Sequence, residues 1–327
     1  MMGGKRGLEH PSTEPMYKYT LLEWIDKDKL QWSGLSLNPN AIHLLEQNQD
    51  QIDWRKLSSN PNAVQLLEQN PEQINWYWLA ANPNATRLLK NNINRINWWC
   101  LSGNLNAIYI LEKNQEKINW VVLSSNPNAI KLLERFPNKI NWEMLSRNPN
   151  AIHLLEQNPE KINWYWLSRN PNAIHLLQKN QDKINWGMLS RNPNASHLLQ
   201  KNLKKINWWC LSEDTNAIHL LEQHPEKINW CSFSLNPNGV QLLEQNTEKV
   251  VWCNISSNLN AVHLLKNNQD KINWHFLSMN PSIFKKEINY KFLDKRMNML
   301  KEELMMKCMH PSRLERWIEM GGDVDDF

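Results

Sequence analysis

Apolar and polar positions alternate along this chain with one long period. Trp stands at 32, 54, 76, 98, 120, 142, 164, 186, 208, 230, 252 and 274, a spacing of 22 residues without insertion or deletion. Other columns keep the same phase. Asn40 recurs through Asn260, Ala41 recurs with Gly239 as its one small substitute before Ile283, and the pair Leu44-Leu45 recurs through Leu264-Leu265 with Ile110 as its variation. The consensus is NPNAIHLLEQNPEKINWxxLS. A strict period of this length marks one structural unit stacked on the next.

Within a unit the pattern predicts two helices. Asn148 and Pro149 suit a helix start. Ala151, Leu154 and Leu155 follow at the i, i+3, i+4 spacing of a buried face, while His153, Glu156 and Gln157 take the opposite face. Asn158 and Pro159 end that helix. Asn163 then caps a second, shorter helix that starts at the repeated Trp and is brief enough to be partly 3₁₀. Gln31 and Val251 depart from Asn at this capping position, so the cap should be weaker there. Neither helix is long enough to be stable alone in water, so stability must come from stacking. The expected fold is an all-α, elongated solenoid of twelve repeats. At about 8–10 Å per packed helix a straight stack would span on the order of 100 Å, less if it curves.

The period fails at both ends. Residues 1–20 read as disordered, with a possible lead-in at 17–22. Residues 21–32, LLEWIDKDKLQW, read as an N-terminal capping helix merging into a repeat domain over 21–282. Residues 283–327 read as a C-terminal helical cap with an acidic tail, since terminal repeats need a polar outer face.

Composition narrows the classes. The chain has 327 residues, 41% apolar and 21% charged, which supports a folded protein. Only 9 Gly argue against Gly-rich phosphate loops. The net charge of +4 is mild for a dedicated nucleic-acid binder. Five Cys form no CxxC pair, which fits a reducing compartment. The N-terminus lacks the apolar core of a signal peptide, and no apolar run approaches the ~20 residues of a membrane span. An intracellular protein without membrane contact is expected, and no cofactor.

The units resemble tandem-repeat proteins encoded by giant double-stranded DNA viruses of amoebae and algae. The segment MMKCMHPSRLERWIEMGGDVDDF is similar to the C-terminal element of that group, an HPSR motif followed by an amphipathic helix and acidic residues. The resemblance covers about residues 21–327. It implies a helical repeat protein acting in the host cytoplasm or viral factory, or carried in the virion, and implies no catalytic residues. The LSRNPNA…LLE layout also resembles, more faintly, leucine-rich variant solenoids.

The columns carry the candidate chemistry. A Trp in every unit belongs to packing. The extra Trp78, Trp99, Trp166 and Trp209 lie just after the repeated Trp, at positions that vary between units. His43, His153, His175, His197, His219 and His263 share a column with Gln65, Arg87, Tyr109 and Lys131. One-unit spacing is too wide for shared zinc, and a mixed column reads as an outer polar face, so no metal is expected. Lys117 through Lys271 form a file beside an acidic one containing Glu116, Glu160 and Asp182, which reads as a neutral solvated ridge. Arg147, Arg169 and Arg191 form a shorter basic file. Ser36 and its equivalents read as helix-end residues. No nucleophile, carboxylate-pair or Walker motif appears, so an enzyme is not expected.

The expected function is a non-enzymatic scaffold that binds a protein partner, with the chain itself a monomer. The candidate contact set is His153, Gln157, Tyr165, Trp166, Arg169, His175, Lys179, Arg191, His197 and Lys201. A modular reader of single-stranded RNA and a virion or assembly component that self-associates through its end caps are the rival expectations.

Overall fold

The computed structural model describes residues 17–308 and 310–321. Most of the segment expected to be disordered, and the acidic tail, lie outside these. The chain divides into two compact units: Leu22–Ile283, and the flanking segments on either side of it.

Leu22–Ile283 is an all-α repeat solenoid. Each repeat carries three elements rather than two. In a central repeat these are a Trp helix, Trp164–Arg169, a Leu–Leu helix, Ile174–Lys179, and a 3₁₀ turn, Gln181–Lys183. The Trp helix is α-helical, and the 3₁₀ geometry falls on the turn that precedes the next one. Asn163 caps the Trp helix as expected, its Oδ1 accepting from the Trp166 N–H at 3.2 Å. Asn148 behaves differently from expectation. It closes the preceding Trp helix as a C-cap, and the Leu–Leu helix begins three residues later than Pro149, at Ile152.

The reason is that Asn148 is occupied. Its Oδ1 accepts from the Asn150 N–H, and its Nδ2 donates to Ser124 O at 3.1 Å and Asn126 O at 2.9 Å in the previous repeat. This bidentate donation recurs along the array, as in Asn60 to Ser36 O and Asn38 O, and Asn170 to Ser146 O and Asn148 O. The Asn40 column adds a second rung: Asn172 Nδ2 donates to Pro149 O at 2.9 Å. The repeated Ser supplies a third. Ser146 Oγ donates to Trp142 O and accepts the Asn163 N–H at 2.9 Å. These buried polar side chains satisfy backbone groups that short helices leave open. Around them Leu145, Ala151, Leu155, Leu167, Ala173 and Leu177 are fully buried.

The core tolerates one compensated exchange. Phe233 stands in the Leu column and is fully buried. Gly239 stands in the Ala column of the same repeat, and a Cβ there would lie 2.5 Å from Phe233 Cζ. The larger side chain occupies the space vacated by the smaller.

The array closes on itself. Asn38 Nδ2 donates to Ser278 O and Asn280 O, both at 3.0 Å, which are the bonds Asn60 makes to Ser36 and Asn38. The Gln31 N–H donates to Ser278 Oγ at 2.8 Å, and Asn40 Nδ2 donates to Pro281 O at 3.0 Å. The first and last Trp helices, Trp32–Leu35 and Trp274–Met279, pack together as consecutive ones do. Leu22–Ile283 is therefore a ring, in which the curvature expected of a solenoid runs to completion.

Closure also accounts for residues 21–32. No capping helix forms there. Instead the 3₁₀ turn Lys27–Lys29 takes the phase of the turn in every other repeat, with Lys29 over the Trp274 ring. The twelfth repeat is thus assembled from both ends of the array, and a ring exposes no terminal apolar face that a cap would need to cover.

In the second unit, β1 (Tyr17–Leu21) pairs antiparallel with β2 (Phe284–Ile288), Tyr17 opposite Ile288 and Leu21 opposite Phe284. The helices Tyr290–Cys308 and Pro311–Glu319 follow, in keeping with the helical character of the C-terminal segment. His310 of the HPSR motif caps the second of them, accepting from the Ser312 N–H.

Candidate functional site

A closed ring has an inner and an outer wall, and the reach of the side chains identifies them. Consecutive Trp helices lie close: Asn254 Nδ2 reaches Cys231 O at 2.8 Å with a short side chain. Consecutive Leu–Leu helices are bridged by long side chains, as in Arg87 to Glu68 and Tyr109 to Thr86 O. Elements on the inside of a curve are the more crowded, so the Trp helices line the inner wall and the Leu–Leu helices the outer. Twelve helices spaced by about 8–10 Å enclose an opening on the order of 20 Å once side chains are allowed for.

The candidate contact set is split by this arrangement. His153, Gln157, His175, Lys179, His197 and Lys201 are exposed on the outer wall. Tyr165, Trp166, Arg169 and Arg191 belong to the inner wall. Sequence phase alone could not separate the two groups, because wall identity depends on the direction of curvature.

The outer His residues have partners. His153 Nε2 meets Glu134 Oε1 at 2.9 Å, and His175 Nε2 meets Glu156 Oε1 at 2.8 Å. His263 and Glu244 repeat the contact. His197 lies one repeat beyond Gln178, where the column has no carboxylate, and no ion pair to His197 forms among the described residues. The column is an outer polar one, as its mixed composition suggested. No group of His, Cys, Asp and Glu able to hold a metal occurs among the described residues. A cavity of about 360 Å³ opens beside His153, between Trp142, Gln157 and Lys161. It is built from columns that most repeats share, so its lining is generic to the array.

The Lys file has a role that the sequence reading missed. Lys161, Lys183, Lys205, Lys249 and Lys271 each lie 4.5–4.9 Å from the centroid of the Trp ring in the preceding repeat. Arg95 and Lys117 do the same over Trp76 and Trp98. Two rings are covered otherwise. Phe136 packs on Trp120 and His224 on Trp208, each replacing an Asn of its column. The signal was present in that coincidence of Trp and Lys columns at fixed separation. A half-buried Trp with a cation over its face is the commoner state here.

The inner wall is aromatic and basic. Tyr165 is 48% exposed and meets Trp166 edge-on at 5.1 Å, and Trp166 Nε1 donates to Glu143 Oε1 at 3.1 Å. Arg147 lies over Trp166 at 5.5 Å, Arg191 over Trp209 at 4.9 Å and Arg55 over Trp78 at 5.8 Å. Trp99 and Trp209 are the most exposed of these rings. Arg147, Trp78, Trp99 and Trp209 thus join the site although they stand outside the contact set. Cys100 and Cys210 are buried, Cys231 and Cys253 exposed, and all four are free thiols. Burial pushes the Cys100 thiol above its ordinary pKa, which keeps it protonated and poorly nucleophilic.

Searches against protein-family models, curated proteins and solved structures found no match to this chain. Among the described residues no helix is long and apolar enough to cross a membrane.

Proposed function

We propose that the ring is a non-enzymatic scaffold that holds a protein segment against its inner wall. One observation carries this reading. The repeated Asn, Ser, Leu and Ala side chains are consumed in joining repeats, while the Trp helices keep positions that vary between repeats and are rich in aromatic and Arg side chains, among them Tyr165, Trp166 and Arg169. A fixed frame with variable aromatic and Arg side chains suits recognition, since such residues dominate interface energetics. The chain works as a single ring and belongs with the giant-virus repeat proteins it resembles, acting inside the infected cell.

A photo-crosslinking residue at Tyr165 tests the proposal, with one at Lys179 as the outer-wall control. The inner probe should capture a discrete protein from infected cells and the outer probe should not. Equal capture at both positions, or capture of RNA at Tyr165, refutes it.

A further inference from the structure

The Trp helix turns its second and sixth positions, and in some repeats its third, to the inner wall. Around the ring these positions hold five permanent cations, Arg55, Lys56, Arg147, Arg169 and Arg191, against two carboxylates, Glu143 and Glu213. One of those carboxylates is already engaged by Trp166 Nε1. Three of the cations, Arg147, Arg169 and Arg191, occupy the same position in consecutive repeats and so form a row along the wall. Among the described residues no ion pair within 4.0 Å involves any of the three, although nine others form. Arg191 Nε is buried and finds no acceptor.

Two of the three are held in place by rings. A guanidinium stacked on an indole keeps its planar N–H edge for a bidentate acceptor and loses little freedom when it binds one. We infer that this arc of the inner wall takes an extended, acidic protein segment, one carboxylate to each Arg. The inference rests on the reading that the inner wall binds protein. It adds a spacing rule. Rows about 8–10 Å apart match every third residue of a chain extended in the polyproline II form, which rises about 3.1 Å per residue with three residues per turn and so brings each third side chain to the same face. Apolar side chains between the carboxylates would lie against Tyr165 and Trp166.

Single-stranded nucleic acid fits this wall less well. Its bases need free aromatic faces, and those of Trp78, Trp166 and Trp209 carry Arg55, Arg147 and Arg191. A phosphate chain also needs a continuous basic track, whereas beyond the arc the same columns turn to Cys231, Leu235 and Cys253.

Fluorescence anisotropy with the full chain decides the matter. The probe is a labelled peptide with Glu at every third position and Leu or Gly between. A peptide of the same composition with its Glu residues in one block, and a single-stranded RNA, serve for comparison. The spaced peptide should bind most tightly, and Arg169→Glu should weaken it at least about tenfold, while Lys179→Glu on the outer wall leaves it unchanged. Arg169 is exposed, so its variant should keep the wild-type melting temperature. Equal binding of the block peptide, tighter binding of RNA, insensitivity to Arg169→Glu, or no binding at all would each overturn the inference. Protein capture at Tyr165 together with failure of the acidic peptide would remove the spacing rule and leave the scaffold reading standing.

Discussion

Asp214 stands where the other eleven repeats place the Asn that joins them. Its Oδ1 still accepts the Asn216 N–H at 3.0 Å, but a carboxylate has no N–H to give, and its Oδ2 is buried without a partner. Burial raises its pKa above the ordinary carboxylate value, an effect only partly opposed by the Asn216 N–H. The folded state therefore binds protons more readily than the unfolded one. Stability is lost as pH rises from the unfolded pKa, about 4, through the folded one, and the penalty is complete above it. Asp214→Asn should restore the two donations at neutral pH and stabilise the ring by about 1 kcal/mol, a modest figure because the residue is part exposed. Denaturant titrations at neutral and acidic pH should show the gain shrinking in acid. An equal gain at both would mean that Asp214 does not titrate in this seam. The sequence shows the exception in the column; only the packing shows that the missing amide protons matter.

The elements are short, so their caps matter more than their propensities. Ten of the twelve Trp helices are preceded by Asn or Asp in phase, and the departures at Gln31 and Val251 are both without a side-chain cap bond. The expectation of weaker caps there is met. The two sites differ in what replaces the cap: Gln31 Oε1 instead faces His275 Nδ1 at 2.7 Å, whereas Val251 retains only the bond from its own N–H to Ser234 Oγ. Val251→Asn should stabilise the ring by about 0.5–1 kcal/mol, measured as a shift in the unfolding midpoint. No shift would show that the helix Trp252–Ile255 is held by its neighbours rather than its cap. At this scale the position of the Trp-helix start was legible from Asn and Trp alone. The start of the Leu–Leu helix was not, because the local preference of Asn-Pro for a helix start gave way to hydrogen bonds with another repeat.

At the scale of the ring, an open array of repeats has one interface fewer than it has repeats, and closure supplies the missing one. The closing seam leaves little room at Gly34. A Cβ on Gly34 would lie 2.8 Å from Ser278 Cβ and 3.2 Å from His275 O, although other repeats carry Lys56, Trp78 or Met144 in the same column. Gly34→Val should therefore open the ring or cost about 1–3 kcal/mol through overpacking. Small-angle scattering would register opening as a larger radius of gyration. Gly187→Val is the control, since the nearest atom to a Cβ there is 3.4 Å away. A Gly34→Val protein with unchanged radius and unchanged melting temperature would show that the seam does not constrain the ring in solution.

The sequence by itself determined the repeat, its period, its buried Leu and Ala columns and its Trp-helix caps, because these depend on contacts within one unit or between identical neighbours. The tertiary structure decided three things. It decided that the array closes, since twelve repeats meet only when each turns by about 30° relative to the last, a small angle summed over the ring and not written in any one residue. It decided which wall is which, and so separated Arg169 and Tyr165 from His153 and Lys179. And it decided that Lys29, in a segment that reads as a cap, completes the last repeat by lying over Trp274: two residues at opposite ends of the array become neighbours only through the curvature of everything between them.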